Sequence, residues 1–496
     1  MIIGLWILKK LSRFNDMMTA LFSQRWSLGI ILLGIGIAIG FFDYGIHVPF
    51  KFRLRGDAWD YMGIASQFTS FHDALYYAGI RSPGFPWFDY FFLTLDTSSS
   101  IVSKVNHICL TLFILHELTS LWICFICVKC RLFPASSTYL GLLFLVLSTY
   151  PPMVMHTTTP LTDVFGVDLL LIGFSLFAWD SYPSTNPCKR VLVSLFLGMS
   201  SGLLLGYAIL VRPAYWIGVV GFLVTYMLMI IVNRVMLPNP NRRQPFRMWM
   251  VTILTLAAVI FPVVDHCKAR YHTVCLQDPL TFDAMLSVST GLSSARTVWN
   301  RPEGEIPHYP DAFLVKNFYN RCPITSVMGR LNNDNTNLLS CLFHAPHLAT
   351  VYFAKKLIGL FDPFRMTPYT EQLTPVWYIW IARAFSSVAF VGFWILLIEG
   401  IKRAYQWLVH RKPVSSLIAA TWVFGMIQVS VHSILHVEER YALPWIPLCI
   451  LAVFLKIKAI QEQDDSTRLG WMWLIFAVLL IAGYFIQVLA WDDGMT

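Results

Sequence analysis

Three parts of this sequence combine residue types that can move protons and hold anions. The first runs Arg55-Gly-Asp57-Ala-Trp-Asp60-Tyr61 and, after a spacer, Gly79-Ile-Arg81-Ser-Pro-Gly-Phe-Pro86. A carboxylate such as Asp57 can take a proton from a hydroxyl, and a positioned base of this kind typically contributes about a hundred- to ten-thousand-fold. Arg81 stands before a rigid Pro-Gly-x-Pro turn and offers a guanidinium that pairs with phosphate or carboxylate. The second part is His156-Thr-Thr-Thr-Pro-Leu-Thr-Asp163, with Asp168 a little further on. The third consists of two corners, Arg212-Pro213 and His436-Val-Glu-Glu-Arg440-Tyr441.

Each part has a purely structural account beside the chemical one. Asp57 follows Gly56 and can cap a helix, with Asp60 at the third helical position much as in a capping box. A helix from Ala58 to Leu75 puts Asp57, Asp60, Tyr61, Ile64, Phe68, Phe71 and Leu75 on one face. The acids then head an apolar stripe, and carboxylates aimed at a membrane-face cavity are costly unless they are used. That weighs toward function for Asp57. Arg81 and Arg212 also fit interfacial positions, where an arginine snorkels toward lipid phosphate. Asp163 suits the positive end of a helix that begins near Pro160. Glu438 or Glu439 can neutralise Arg440. Asp168 has no capping explanation and must find a partner in the bundle or line a polar cavity.

The elements that position these residues are membrane helices. The chain has 496 residues, 56% hydrophobic and only 13% charged, where a soluble chain carries about 25%. Aromatics at 15% fit interfacial Trp and Tyr belts. Eleven apolar runs are long enough to cross about 30 Å of hydrocarbon: 26–42, 102–127, 138–155, 162–178, 191–211, 213–232, 248–264, 377–398, 414–432, 441–457 and 469–489. Gly84–Leu95 and Cys341–Phe361 read as interfacial or re-entrant and could raise the count. The expected fold is thus an all-α polytopic membrane protein with about 11 spans (11–13), an amphipathic first outer loop and one larger extracytoplasmic loop.

Charge sets the expected orientation. The N-terminal tail and the loops at 129–131, 189–190, 234–247, 402–412 and 456–468 hold 19 of the 37 basic residues, and they fall on one side if the N-terminus is cytoplasmic. The net charge of +9 then reports topology and anionic lipid rather than a nucleic-acid partner. A basic start without a small-residue cleavage site reads as a retained anchor. With this topology, nearly all the polar features above lie on the periplasmic or lumenal face. The expected organisation is a membrane module at 1–264 carrying the first-loop motif, an extracytoplasmic loop or small domain at 265–375, and C-terminal spans at 376–496. Cys267, Cys275, Cys322 and Cys341 fall in the large loop and allow two disulfides in three pairings. Cys124, Cys127 and Cys130 repeat on a helix face and read as packing residues.

The order and common side of these motifs carry a resemblance. Gly-Asp57-x-x-x-Tyr61 and Arg81-x-Pro-Gly-Phe-Pro in the first outer loop resemble the C-type (GT-C) polytopic membrane glycosyltransferases that use polyprenyl-phosphate sugars. That superfamily includes protein O-mannosyltransferases and aminoarabinose transferases. The family's later acid maps onto Asp163, its late Arg-Tyr motif onto Arg440-Tyr441, and its corner after the fifth span onto Arg212-Pro213. The likeness covers about the first 215 residues and the turn near 440. One departure is that the first-loop motif is not the paired Asp-Glu of several branches, which leaves the donor sugar open.

The resemblance implies a polyprenyl-phosphate-linked sugar donor in the bilayer and a glycan, lipid or protein acceptor, with the active face periplasmic or lumenal. The expected location is a bacterial inner (plasma) membrane. Asp57 would act as general base for an inverting attack by an acceptor hydroxyl. Asp60, Tyr61, Arg81, His156, Asp163, Arg212, Arg440 and Tyr441 would bind donor or acceptor. No cofactor is implied, and no compact ligand cluster supports a divalent metal. A lipid or glycolipid transporter or flippase is the alternative, with Asp168 and Arg383 inside spans as its main support. A membrane scaffold would leave Asp57 only a cap.

Overall fold

A computed structural model of the chain describes residues 25–54, 57–75, 77, 79, 81–95, 100–134, 138–180, 187–236, 244–279, 346, 354, 357–361, 375–410, 412, 414–434, 442–461 and 466–493. Among these residues the regular structure is helical. The first part of the chain forms α1 (Arg25–Ile46), α2 (Phe50–Arg53), α3 (Asp57–Ser66), α4 (Phe71–Leu75), α5 (Gly84–Leu95), α6 (Ile101–Lys129), α7 (Thr138–Ser148) and α8 (Pro151–Thr157). Then come α9 (Thr162–Asp180), α10 (Pro187–Val211), a 3-10 turn at Pro213–Tyr215, α11 (Trp216–Met236) and α12 (Gln244–Tyr271). The C-terminal part forms α13 (Val376–His410), α14 (Ser416–Ile434), α15 (Ile446–Gln461) and α16 (Ser466–Asp493).

The all-α membrane architecture follows the apolar runs, while the expected count of about eleven spans is not reached by length and composition among the described residues. Among the described residues seven helices are long and apolar enough to cross a bilayer, or eight if the bent pair α7–α8 is one span. Ser416–Val431 and Met472–Ile486 are shorter apolar stretches. The run expected at 138–155 is broken, because α7 and α8 meet at 49°. Pro151 and Pro152 supply no N–H to the preceding turn, and their rings clash with it. The bend is fixed from α13: Tyr378 donates to the Pro151 carbonyl at 2.7 Å, and the Tyr150 hydroxyl lies 2.7 Å from that of Ser386. Beyond the bend the chain stays helical over Pro151–Thr157.

The helix expected from Ala58 to Leu75 also ends early, at Ser66. A capping box restarts it. Ser70 Oγ accepts the Asp73 amide at 3.2 Å, and Asp73 Oδ2 accepts the amides of Ser70 and Thr69 at 3.1 Å. The Thr69 hydroxyl, which donates to the same oxygen at 2.5 Å, and the Thr69 and Ser70 amides hold Asp73 below its ordinary carboxylate range.

Two apolar clusters meet along the middle of the bundle. One gathers α1, α7, α13, α15 and α16; the other gathers α3, α5, α10, α11 and α12. Helices α6, α9 and α14 give residues to both. Helix α9 is apolar and buried nearly all round, as a central helix must be. Helices α10 and α12 approach closely because Gly198, Gly202 and Gly206 recur every four residues. A Cβ on Gly202 would lie 2.5 Å from the Thr252 carbonyl oxygen.

Candidate active site

Four helix ends and one turn converge at one end of the bundle. The turn is the Arg81–Gly84 segment, seated on the last residues of α10. Ser82 Oγ donates to the Leu210 carbonyl, and Tyr207 donates to the Gly84 carbonyl at 2.9 Å. Gly84 abuts the Leu210–Val211 backbone so closely that a Cβ there would collide with it. The glycine is thus required for close approach, and it brings the first-loop motif against the Arg212 corner.

Arg212 owes its position to Pro213. A residue before proline is excluded from the α region, so α10 stops at Val211 and Arg212 is extended, at φ −141° and ψ 98°. Its guanidinium turns onto Asp163 Oδ1, forming an ion pair with the first turn of α9. The Asp163 side chain is 1% exposed and that of Arg212 11%. His156, on α8, brings Nδ1 to 4.0 Å from Asp163 Oδ2 and is itself buried.

Arg81 sits between the two first-loop carboxylates. Its Nη2 donates to Asp57 Oδ1 at 2.5 Å and to Asp60 Oδ2 at 2.8 Å, and Nε donates to Asp60 Oδ2 at 3.2 Å. Burial favours a neutral Arg81, but Asp57, Tyr61 and Asp60 outweigh it and raise its affinity for the proton. The carboxylate pair therefore carries its counter-ion within the chain. The buried stripe of α3 is Asp57, Ala58, Tyr61, Met62, Ile64 and Ala65, which keeps Asp57, Tyr61 and Ile64 on the expected inner face. Asp60 is partly exposed.

Tyr61 joins the two ion-paired groups. Its ring packs on Phe85 at 5.3 Å and lies 5.8 Å from Arg81 Cζ. Arg81, Asp57 and Arg212 all act on its hydroxyl electrostatically. Burial dominates and keeps the phenol neutral to higher pH than usual. Asp57, Asp60, Tyr61, Arg81, His156, Asp163 and Arg212 thus form one polar cluster over the outermost turns of α3, α8, α9 and α10. Arg440 and Tyr441 lie outside the described residues.

Below the Gly84 turn an apolar cavity of about 380 Å³ opens at Pro262, inside α12. Trp87, Leu204, Tyr207 and Val259 are among its lining residues. Deeper in the bundle Asp168 has the partner its sequence position demanded: His116 Nδ1 lies 3.4 Å from its Oδ1. His116, the deeper of the two histidines in the apolar run of α6, was the signal for that pair. Arg383 is buried in α13, with Cζ 5.3 Å from the Trp380 ring centre. Cys267 and Cys275 form a disulfide, one of the pairings open in the sequence, whereas Cys322 and Cys341 lie outside the described residues.

Asp89, on α5, was not singled out by the sequence. It is fully buried, and neither oxygen has a hydrogen-bond partner among the described residues. Burial pushes its carboxyl well above 3.8. The unfolded chain then binds fewer protons than the folded one above that pH, so this group makes stability fall as pH rises. The thermal midpoint in detergent should decline from pH 4 to 8 more steeply in the wild type than in Asp89→Asn. Parallel profiles would mean that Asp89 is ionised in the fold.

No protein-family model matches the sequence, and no curated protein matches it. Solved structures similar to the chain include the oligosaccharyltransferase of the archaeon Archaeoglobus fulgidus in its apo form, at TM-score 0.48 and 12% identity over 96% of this chain and 56% of that one. The same enzyme tethered to an acceptor peptide containing the NVT sequon gives 0.47 and 11%, over 96% of this chain and 55% of that one. The Archaeoglobus fulgidus enzyme AglB, in complex with an inhibitory peptide and a dolichol-phosphate, gives 0.46 and 12%, over 94% and 55%. The chain spans little more than half the length of these structures.

Proposed function

We propose that this chain is a membrane glycosyltransferase that moves a sugar from a polyprenyl-phosphate donor to an acceptor hydroxyl, with inversion. The observation that supports it is the convergence of Asp57, Arg81, Asp163 and Arg212 at one end of a membrane bundle. An uncharged nucleophile and a phosphate leaving group need two things: a base for the incoming hydroxyl and cations for the departing charge. Both are present within one cluster. The acids outnumber the arginines there, so an incoming lipid phosphate takes a guanidinium in exchange for a carboxylate. Loss of Arg81 to the phosphate would leave Asp60 solvated and Asp57 unpaired in a buried place, which makes Asp57 the stronger base when the donor is bound.

Asp57 receives the acceptor proton as its oxygen attacks the anomeric carbon. The sugar–phosphate bond breaks and the phosphate leaves as an anion, so no general acid is required. Arg212 and Arg81 hold that charge, Asp163 and His156 keep Arg212 aimed, and the apolar cavity at Pro262 accommodates the start of an isoprenoid chain. Arg440 and Tyr441 would complete the phosphate contacts from the C-terminal half. In this reading the site faces the periplasm or lumen, the N-terminus is cytoplasmic, and the segment 265–375 covers the same face.

The buried His116–Asp168 pair inside the bundle favours a second reading, a glycolipid transporter. One assay separates the two. Proteoliposomes holding the purified chain are given a radiolabelled polyprenyl-phosphate sugar and a mixture of glycan, lipid and peptide acceptors. Label in a new covalent product supports transfer. Label that crosses the bilayer still attached to the polyprenyl phosphate overturns it in favour of transport.

A further inference from the structure

His116 lies midway along α6 and presents both ring nitrogens to acceptors. Its Nε2 is 3.3 Å from the Leu147 carbonyl oxygen, and its Nδ1 is 3.4 Å from Asp168 Oδ1. The Leu147 carbonyl is open for a reason written in the sequence. In a continuous helix it would accept the amide of the residue four places on, which is Pro151 and has no N–H. A carbonyl buried in a membrane bundle needs a donor, and His116 supplies it. A carbonyl oxygen only accepts, so Nε2 carries a hydrogen.

That fixes the proton count on the other side of the ring. With Nε2–H turned to Leu147, a neutral imidazole would aim the lone pair of Nδ1 at the lone pairs of an ionised Asp168. The two atoms attract only if a hydrogen lies between them. It sits either on an imidazolium facing a carboxylate or on a carboxylic acid facing a neutral imidazole. Both arrangements hold the same number of protons, one more than a neutral imidazole beside a bare carboxylate. The two side chains are 2% and 0% exposed, and Asp168 Oδ2 has no hydrogen-bond partner among the described residues. Helices α7, α8 and α9 contain no lysine or arginine. Lys104 and Lys129 stand at opposite ends of α6, each about 18–20 Å along the axis from His116. Glu117, the next residue, adds a buried carboxyl rather than a cation. The proton is the positive charge that compensates Asp168.

The pair spans three helices. Helix α6 holds His116, α9 holds Asp168, and α7 ends on the carbonyl at the bend. Beyond the bend α8 carries His156, and α9 carries Asp163 in its first turn.

We propose that His116 and Asp168 bind one proton between them, and that this protonated pair is a positioning unit that holds the bend of α7–α8 against α9. It touches no reacting atom. A transport relay must release its proton, whereas this unit keeps it. The effect on transfer rests on the reading of His156, Asp163 and Arg212 as the phosphate end of the site. The proton count does not.

The test uses the full chain in detergent and in proteoliposomes, as wild type, Asp168→Asn, Asp168→Leu and His116→Phe. Asp168→Asn is the uncharged isostere of the protonated pair, because its amide can donate to Nδ1 of a neutral imidazole. It should keep the wild-type thermal midpoint and transfer within about twofold, since the hydrogen bond survives. Asp168→Leu and His116→Phe each leave a buried polar group unmatched. Their midpoints should fall by several degrees, and the folded fraction should transfer at least about tenfold more slowly, as displaced groups do. Infrared difference spectra of wild type against Asp168→Asn read the carboxyl at neutral pH. Nitrogen NMR of isotopically labelled histidine reads the ring, with the His116 signal assigned by its loss in His116→Phe. An imidazolium with a carboxylate, or a neutral imidazole with a carboxylic acid, upholds the unit. A neutral imidazole with a carboxylate overturns it, as does an Asp168→Asn variant that behaves like Asp168→Leu. Lipid-linked label that crosses the bilayer in wild type but not in Asp168→Asn makes the pair a relay and also overturns it. If the wild type forms no transfer product, the glycosyltransferase reading fails, and the spectra and midpoints still decide the pair.

Discussion

Asp57→Asn should lower the rate of sugar transfer by about a hundred- to ten-thousand-fold, the range a positioned general base supplies. The geometry makes this a clean experiment. The amide keeps the size of the side chain, and its Oδ1 can still accept from Arg81. Arg81 also keeps its two contacts to Asp60, at 2.8 and 3.2 Å, so its charge is not left unpaired by the change. Folding should therefore survive, with a loss of about 1.5–3 kcal/mol at most, the net worth of a hydrogen bond to a charged group. Asp60→Asn serves as the comparison. Asp60 is about one-third exposed where Asp57 is 11% exposed, and it makes the same kind of contact. Its loss should cost transfer less than about tenfold, because a solvated carboxylate is weakly coupled to the site. Measuring initial rates in membranes with equal amounts of folded protein decides the matter. An Asp57→Asn variant as fast as wild type removes Asp57 from the chemistry and leaves it the capping role that its place after Gly56 always allowed.

Much of this cluster was legible in the sequence, because helix ends announce themselves. Pro213 fixes Arg212, Pro160 precedes the helix that carries Asp163, and Gly84 with two prolines marks the turn that carries Arg81. Residue type and the helix end that carries it follow from such signals. Partners do not. Arg81 read equally well as an arginine on lipid phosphate, and only tertiary packing brings it between Asp57 and Asp60. Asp163 read as an acid at the start of a helix, where it does sit, but its ion pair with Arg212 was not legible. The break between α3 and α4 was written in Thr69-Ser70-x-x-Asp73, but an unbroken apolar stripe from Tyr61 to Leu75 outweighed it. The bend at Tyr150 was concealed by two prolines that could as well have ended a span.

Removing the other guanidinium should have two separable effects. In Arg212→Met the Asp163 carboxylate, 1% exposed, stays in the bundle without its counter-ion. Breaking a buried ion pair from one side costs about 3–5 kcal/mol, so the variant should unfold at markedly lower temperature, and transfer should fall at least about a hundredfold. The stability loss alone would explain the second effect, which is why the double variant Asp163→Asn/Arg212→Met decides the role of Arg212. Neutralising both partners removes the stranded charge and should return most of the lost stability, since a buried pair replaced on both sides is often close to neutral. If Arg212 holds the phosphate of the departing lipid, transfer stays low in the double variant although the protein is stable again. If Arg212 only balances Asp163, transfer recovers along with stability. His156, 4.0 Å from the same carboxylate, gives an internal comparison. His156→Ala leaves the Arg212–Asp163 pair intact and should reduce transfer less than Arg212→Met does. The phosphate-holding role therefore predicts a stable double variant that binds the donor poorly, a combination that loss of packing cannot produce.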